Sequence, residues 1–360
     1  MSTTEILSNY KNEVKTIETE SRIKESKESF LSGLCGNLNV IVPLSVTQKD
    51  RKCHCFIIAD KEKALVYYSN LCNFLKKEKV YFFPYSFIAP YDDELINNAN
   101  VVMRTEVIQT LLEKTKEKIY IVTYPEGVFE KFPEERIQKE KRTIVNKKDK
   151  IQIGDFVEGL NNNGFNKVDF VVEPGEFAVR GNIIDVFSFS YKKPVRIELD
   201  GNDVERLRLF DPNTQLTEDD IKEAKIISNK SLEDKGGNYV SLFNFFNEDW
   251  VIWGDEISLS ANIIDEKNKQ AIELYEEIKN KSKVVLSLPP KKRFLDKKLF
   301  LEELNRFKRV EFGRENKKNN STKIRYNSCL LYTSHAADEG LGEDLGGRRI
   351  IKKKRGGGGG

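Results

Sequence analysis

Residues 169–217 constrain the fold of this chain most strongly, because short β-type runs alternate there with turn signals. The run EPGE at residues 173–176 places proline and glycine where type I and type II turns need them. Asp200-Gly201 is typical of a hairpin turn. Connections this short join neighbouring antiparallel strands, since a parallel pair needs a crossover of about a dozen residues or more. We therefore predict an antiparallel meander.

Charges alternate with apolar residues along these predicted strands. Val195, Ile197 and Leu199 point to one face, because successive side chains of a strand alternate. The opposite face carries the charged residues Arg180, Arg196, Glu198, Arg206 and Arg208. One interpretation is the solvated outer face of an antiparallel sheet. The other is a docking surface, which favours arginine because its guanidinium pairs bidentately and is weakly hydrated.

Two runs in this stretch carry a family resemblance. VEPGEFAVRGNIIDVF at residues 172–187 and PVRIELDGNDVERLRLFDPNTQ at residues 194–215 resemble the transcription-repair coupling factors of the Mfd family, in the module these share with the excision-repair protein UvrB. A weaker resemblance extends from about residue 31 to 312. The resemblance to the Mfd family implies that this small domain binds UvrA. The predicted UvrA-binding residues are Arg180, Arg196, Glu198, Phe177, Arg206 and Arg208.

The flanking sequence has an α/β pattern. Before the meander, strand-like runs lie at residues 39–43, 53–59, 79–83 and 119–123, with helix-like runs at 61–77 and 94–114. After it, strands are predicted at 250–253 and 283–288, and helices at 261–279 and 296–307. Strands that alternate with helices indicate a parallel sheet covered on both faces. The resemblance implies a degenerate helicase-like α/β domain, as in UvrB domain 1, split by the inserted antiparallel-sheet α+β domain.

The predicted domain boundaries follow from these patterns and the resemblance. They are an N-terminal charged helix at 1–30, the first half of the α/β domain at 31–132, the inserted UvrA-binding domain at 133–212, the second half at 213–315, and a tail at 316–360. From about Cys329 the tail resembles translated sequencing-adapter read-through, so we expect it to be disordered and artefactual and the product to be cut short.

The turn that begins at Gly33 decides whether nucleotide chemistry is expected. A phosphate loop needs glycines, a lysine for the phosphates and a hydroxyl for magnesium. Gly33 and Gly36 fit, but Leu38, Asn39 and Val40 stand where the third glycine, the lysine and the hydroxyl belong. We therefore predict a degenerate phosphate loop, no catalytic residues and no nucleotide hydrolysis by this chain.

Other candidate chemistry is weaker. Cys53-His54-Cys55 is better interpreted as a buried strand than as a metal site, because His54 faces away from both cysteines and no second ligand pair follows. Asp255-Glu256 is interpreted as a helix N-terminal cap. Arg104 is assigned a structural ion pair. No metal site is predicted.

Composition bounds the partners. Charged residues make up 32% with a formal net charge of +3, which gives no global drive towards nucleic acid or an anionic membrane. Five cysteines without regular spacing favour a reducing compartment. No apolar run approaches the roughly 18 residues of a membrane span. We predict a cytoplasmic protein without membrane contact.

The functional prediction is a non-catalytic interaction module that recruits UvrA to stalled RNA polymerase for nucleotide excision repair. RNA polymerase and DNA would be reached only through domains absent from this chain. ATP and magnesium would serve only those domains, so no cofactor is expected here. The alternatives are a UvrB-like, ATP-dependent helicase subunit that binds damaged DNA and, less favoured by the balanced charge, a generic nucleic-acid binder.

Overall fold

The structure is a computed structural model. It describes residues 7, 9–10, 12–34, 36–48, 50, 52–75, 79–87, 90–91, 96–113, 117–134, 142–227, 238–281, 288–313 and 322–326. The predicted strand at residues 283–288 lies outside the described residues except for Leu288, as does the predicted tail from residue 327 onward.

Short strands make up the two sheets and two small ribbons. They are β1 Glu28–Ser32, β2 His54–Ile58, β3 Lys79–Phe83, β4 Ile119–Thr123, β5 Phe132–Pro133, β6 Thr143–Asn146, β7 Asn166–Lys167, β8 Glu176–Arg180, β9 Ile183–Val186, β10 Val195–Asp200, β11 Asp203–Phe210, β12 Thr217–Asp220, β13 Glu223–Ile226, β14 Tyr239–Val240, β15 Val251–Asp255, β16 Lys308–Phe312 and β17 Thr322–Arg325.

The helices come mostly from the segments between the strands of the larger sheet. They are α1 Val14–Glu25, α2 Leu38–Thr47, α3 Lys61–Phe74, α4 Asn98–Leu112, α5 Pro125–Phe129, α6 Ile153–Asn162, α7 Ile257–Lys281, α8 Pro290–Arg293 and α9 Lys297–Leu304, with a 3₁₀ turn at Leu242–Phe245.

The larger sheet is parallel throughout and has the strand order β17-β1-β16-β15-β2-β4-β3. Its central strands β2 and β4 are buried along their whole length, as expected for a parallel sheet covered on both faces. Phe56, Tyr120 and Trp253 are among the largest fully buried side chains of this core. The predicted α/β class is confirmed.

The second sheet is inserted between β4 and β15 and has the order β12-β11-β10-β9-β8-β7. From β8 to β12 every pairing is antiparallel, and only β7 pairs with β8 in parallel. This confirms the predicted meander. The predicted end of the inserted domain at residue 212 is too early, because β12 extends this sheet and β13 pairs with β6.

Three predicted elements of the larger domain are wrong. Residues 39–43 lie in α2, whose positions Val40–Thr47 are all buried, and a helix buried all round has the same continuous apolar run as a buried strand. Residues 1–30 are not one charged helix, since β1 begins at Glu28 and enters the sheet between β16 and β17. The predicted tail from residue 316 contains β17, which is an edge strand of the larger sheet.

Among the residues that the structure describes, none of the helices combines the length and apolar character needed to cross a bilayer.

Candidate functional site

The arginine-bearing face of the second sheet is centred on Asp185. In the strand register Asp185 on β9 lies between Ala178 on β8 and Arg196 on β10. Its side chain is completely buried. A buried carboxylate is costly unless it is paired and hydrogen-bonded. Strand alternation at residues 183–186 places Asp185 on the charged face, and that signal was available in the sequence.

Arg196 supplies the main pairing of this carboxylate. Its Nε donates to Asp185 Oδ1 at 2.8 Å and its NH2 donates to Asp185 Oδ2 at 2.9 Å. This bidentate geometry raises the pKa of Arg196 through the hydrogen bonds to Asp185. The guanidinium also lies over the Phe210 ring, 4.6 Å from its centroid. Only 15% of the side chain is exposed, so the interpretation of this face as a solvated outer face does not hold at Arg196.

Arg180 is the second partner of Asp185. Its NH2 group donates to Asp185 Oδ2, and its guanidinium lies 5.2 Å from the centroid of the Phe170 ring. The Arg180 side chain remains 39% exposed. One carboxylate therefore faces two guanidinium groups, which leaves an excess positive charge at the surface beside Arg180.

The remaining charged residues lie on β10 and β11. Arg208 donates to Glu198 and, at 3.2 Å, to Thr217 Oγ1, and both partners of the ion pair are mostly covered. Arg206 is more accessible, with 55% of its side chain exposed and Glu205 at 3.9 Å. Of the four predicted arginines, Arg180 and Arg206 therefore offer the most surface to a partner.

Phe177 does not belong to this surface. It is fully buried and packs in the core of the inserted unit with Ile184, Val186 and Ile197. Its strand position explains this, since Phe177 lies on the apolar face that alternation assigns to it. The prediction that Phe177 contacts UvrA is therefore wrong.

Part of the charged face is covered by a loop that the sequence patterns did not reveal. Residues 168–175, between β7 and β8, place Val171 against Ala178, Phe187 and Phe210, and all four side chains are buried. This small apolar cluster explains why Arg196 is sheltered. Coverage by a loop depends on tertiary contacts and has no signal in strand alternation.

The turn between β1 and α2 has the strand–turn–helix order of a phosphate loop but not its chemistry. Gly33 and Gly36 have φ angles of +77° and +57°, which glycine adopts at little cost. A Cβ at Gly33 would overlap the Tyr326 carbonyl oxygen. The Asn39 carbonyl accepts a hydrogen bond from Tyr67 Oη at 3.0 Å, and Val40 is buried. These residues do not fit ATP with magnesium. Cys35 lies outside the described residues.

The other candidates have structural roles. His54 is buried on β2, so the strand interpretation is confirmed, and Arg104 forms the assigned ion pair with Glu130 at 3.3 Å. Glu256 immediately precedes α7, and its carbonyl accepts the amides of Leu259 and Ser260, but the carboxylate that accepts the first helical amide, Ile257 N, is Glu311 at 3.1 Å. Within the described part of the chain, no group of three or more histidine, cysteine, aspartate or glutamate residues is placed to hold a metal ion.

Comparison with known proteins agrees with this architecture. Residues 144–232 match the family model of the UvrB interaction domain, a segment that includes the arginine-bearing face. The inserted unit is therefore similar to this interaction domain, and the match extends beyond the predicted end at residue 212.

The curated relatives are transcription-repair-coupling factors. The chain is 44% identical to that of Myxococcus xanthus over 64 residues, which is 18% of this chain and 5% of the relative. It is 32% identical to that of Staphylococcus aureus strain Mu50 over 162 residues, 44% of this chain and 13% of the relative. Against that of Bacillus subtilis it is 25% identical over 194 residues, 52% of this chain and 16% of the relative.

These matches confirm the resemblance to the transcription-repair coupling factors. The chain spans well under a fifth of the length of each of these relatives. The comparisons support a module of a repair-coupling protein.

Proposed function

We propose that this chain is a non-catalytic interaction module that recruits UvrA to RNA polymerase stalled at DNA damage, for nucleotide excision repair. The observation that carries the proposal is the arginine-bearing face of the inserted sheet, which lies within the segment matched by the UvrB interaction domain. UvrA is the partner that the family resemblance implies. Contacts with RNA polymerase and DNA are assigned to other parts of such coupling factors.

The electrostatics of this face suit recognition. Asp185 fixes two guanidinium groups, and Arg180 keeps an accessible side while Arg206 projects from β11. Arginine pairs well with partner carboxylates because its planar donors match their geometry. A prepositioned arginine also loses less side-chain entropy on binding than a free one.

The alternative of a UvrB-like, ATP-dependent helicase subunit has less support. The turn at Gly33 is packed against the Tyr326 carbonyl, and the positions of the phosphate-binding lysine and the magnesium-binding hydroxyl hold Asn39 and Val40. We propose that this chain works without ATP or magnesium of its own. DNA-stimulated ATP turnover by the purified chain would contradict this.

The proposal is tested by titrating purified UvrA against the chain in a calorimeter. The double variant Arg180→Ala, Arg206→Glu removes the accessible cations but leaves Arg196 on Asp185. We expect this variant to raise the dissociation constant for UvrA by about tenfold or more, which corresponds to a loss of about 1.4 kcal/mol of binding free energy.

Lys298→Glu is the matched control, because Lys298 is an exposed cation 3.8 Å from Glu302. It lies on α9, in the α/β unit that contains the larger sheet. The control variant should leave UvrA affinity unchanged. Equal affinities for the double variant, the control and the unchanged chain would contradict the proposed binding face, provided that urea unfolding shows the double variant to be folded.

A further inference from the structure

Exposed apolar side chains border the arginine-bearing face. Phe170 and Val172, in the loop between β7 and β8, are 60% and 49% exposed, and Leu216, which precedes β12, is 68% exposed. Large apolar side chains this exposed are ordinary when scattered singly, but a contiguous group marks an interaction site.

Specific contacts join the two loops that carry these residues. Gln215 Nε2 donates to the Val171 carbonyl at 3.1 Å, and the Gln215 carbonyl accepts from Arg196 NH1 at 3.3 Å. Leu216 follows Gln215, and Phe170 and Val172 flank Val171. The exposed apolar residues are therefore chain neighbours of Val171 and Gln215, which belong to one hydrogen-bonded network with Arg196. We call Phe170, Val172 and Leu216 the apolar rim.

The loop backbones are held in place without help from a partner. The Glu176 carboxylate accepts the amides of Val172 and Glu173, both at 2.8 Å. The Asp211 carboxylate accepts the amides of Asn213 and Thr214 at 2.9 and 2.8 Å. Preorganised anchors bind more tightly, because little conformational entropy remains to be lost.

Charge and shape together define what fits. Phe170 stacks on the Arg180 guanidinium, which is 5.2 Å from its ring centroid, and Asp185 neutralises only one of the two arginines beside it. A complementary surface has an apolar pocket for the rim and a carboxylate at its border for Arg180. Aromatic and arginine side chains placed together are typical of the residues that carry most of the binding energy at interfaces.

We propose that the apolar rim is the energetic anchor of the interface, inserting into an apolar pocket of UvrA whose border carries a carboxylate. This inference rests on the proposed function for the identity of the partner. It goes further by assigning the main binding energy to Phe170 and Leu216, with Arg180 orienting the contact.

Calorimetric titration with purified UvrA tests the rim through single variants. Phe170→Ala and Leu216→Ser should each raise the dissociation constant by about tenfold or more. Phe170→Leu should restore most of the affinity, because it keeps the apolar contact. Val66→Ser is the matched control, since Val66 is similarly exposed on α3 of the other unit, and it should have no effect.

Salt dependence distinguishes an apolar anchor from the charged contacts of the interface. The loss caused by Leu216→Ser should persist at high salt, whereas the loss caused by Arg206→Glu should shrink. The Arg180 guanidinium stacks on the Phe170 ring, so Phe170→Ala can also displace Arg180, whereas Leu216 has no ring that could hold this guanidinium.

The two levels of the hypothesis fail differently. If Phe170→Ala and Leu216→Ser bind UvrA as tightly as the unchanged chain, while the Arg180→Ala, Arg206→Glu variant binds weakly, the rim is not the anchor and the proposed function stands. If the unchanged chain binds no UvrA, the proposed function fails and the inference fails with it.

Discussion

At the residue scale, Asp185 decides which arginines can serve a partner. Both oxygens of its buried carboxylate accept hydrogen bonds from Arg196, and Oδ2 also accepts one from Arg180. Strand alternation describes this face as uniformly charged. In the structure Arg196 and Asp185 form a covered ion pair, and Arg180 and Arg206 remain accessible beside it. Charge reversal at Arg196 would place a carboxylate against Asp185, so it would test folding rather than binding.

Asp185→Asn should destabilise the inserted unit by about 2–4 kcal/mol, because two neighbouring guanidinium groups lose their buried anion. Urea unfolding followed by circular dichroism measures the change. Glu205→Gln is the control, because it also replaces a carboxylate with an amide. Glu205 is exposed and 3.9 Å from Arg206, so this change should lower the free energy of unfolding by less than about 0.5 kcal/mol. Similar losses of unfolding free energy in both variants would show that the buried Asp185 carboxylate does not stabilise the inserted unit.

His54 is a second residue whose surroundings set its behaviour. Trp253 Nε1 donates to His54 Nδ1 at 3.2 Å, and since an indole nitrogen can only donate, Nδ1 carries no proton. The other nitrogen, Nε2, then carries the proton and donates to Asp50 Oδ1 at 3.1 Å. Burial lowers the pKa of His54 below its usual 6.5.

This lowered pKa predicts acid sensitivity of stability. Below about pH 6.5 the unfolded chain binds a proton at His54 that the folded chain does not, so stability falls as the pH drops. Between pH 7.5 and 5.5 the unchanged chain should therefore lose more unfolding free energy than His54→Gln. Urea unfolding at both pH values measures this. Parallel pH dependence in both proteins would contradict a neutral His54 in the fold.

At the element scale, the turn between β1 and α2 combines a strand–turn–helix order with close packing against the end of β17. The turn keeps two glycines with positive φ, but the chain packs Tyr326, just after β17, where a Cβ on Gly33 would lie. Tyr326 N also donates to the Ser32 carbonyl at 2.8 Å. The edge strand therefore closes over the start of the turn.

Gly33→Ala and Gly36→Ala should differ because their surroundings differ. Both substitutions force a side chain into a positive φ, which costs about 1 kcal/mol. A Cβ at Gly36 meets nothing within 4 Å, whereas one at Gly33 overlaps the Tyr326 carbonyl oxygen. We expect a loss of about 3 kcal/mol for Gly33→Ala and about 1 kcal/mol for Gly36→Ala in urea unfolding. Equal losses would argue against packing of β17 on this turn.

At the scale of the whole molecule, the two units meet at α4. Phe189, in the segment between β9 and β10, is buried against Val101 and Val102 of α4. Lys192 pairs with Glu106 at 3.1 Å, and Lys225 pairs with Glu113 near the end of the same helix. Exposed ion pairs contribute little, so the phenylalanine contact dominates this junction.

Phe189→Ala should uncouple the units. Removing a buried phenylalanine costs about 3–5 kcal/mol, and here much of that loss falls on the junction. We expect the thermal unfolding of the variant, followed by scanning calorimetry, to separate into two transitions where the unchanged chain shows one. Phe170→Ala, which removes an exposed ring of the same unit, should keep the single transition. A single transition in both variants would mean that other contacts couple the units.

Much of the architecture could be predicted from local patterns. Turn residues at 173–176 and 200–201 and the alternation of Val195, Ile197 and Leu199 specified the meander and its apolar face, because turn geometry and side-chain period are properties of adjacent residues. Alternating strand-like and helix-like runs specified the parallel sheet. The departures from the phosphate-loop pattern at Asn39 and Val40 were equally visible, since they are matters of residue identity.

Only the tertiary structure decided which of these residues are accessible at the surface. Alternation assigns a face but not its coverage, so it could not show that Val171 and its loop shelter Arg196, nor that Phe170 and Leu216 stand exposed beside Arg180. The places of β1 and β17 in the larger sheet were hidden for the same reason. The covering of a sheet face and the pairing of distant strands depend on residues far apart in the chain, and no local periodicity in the sequence indicates them.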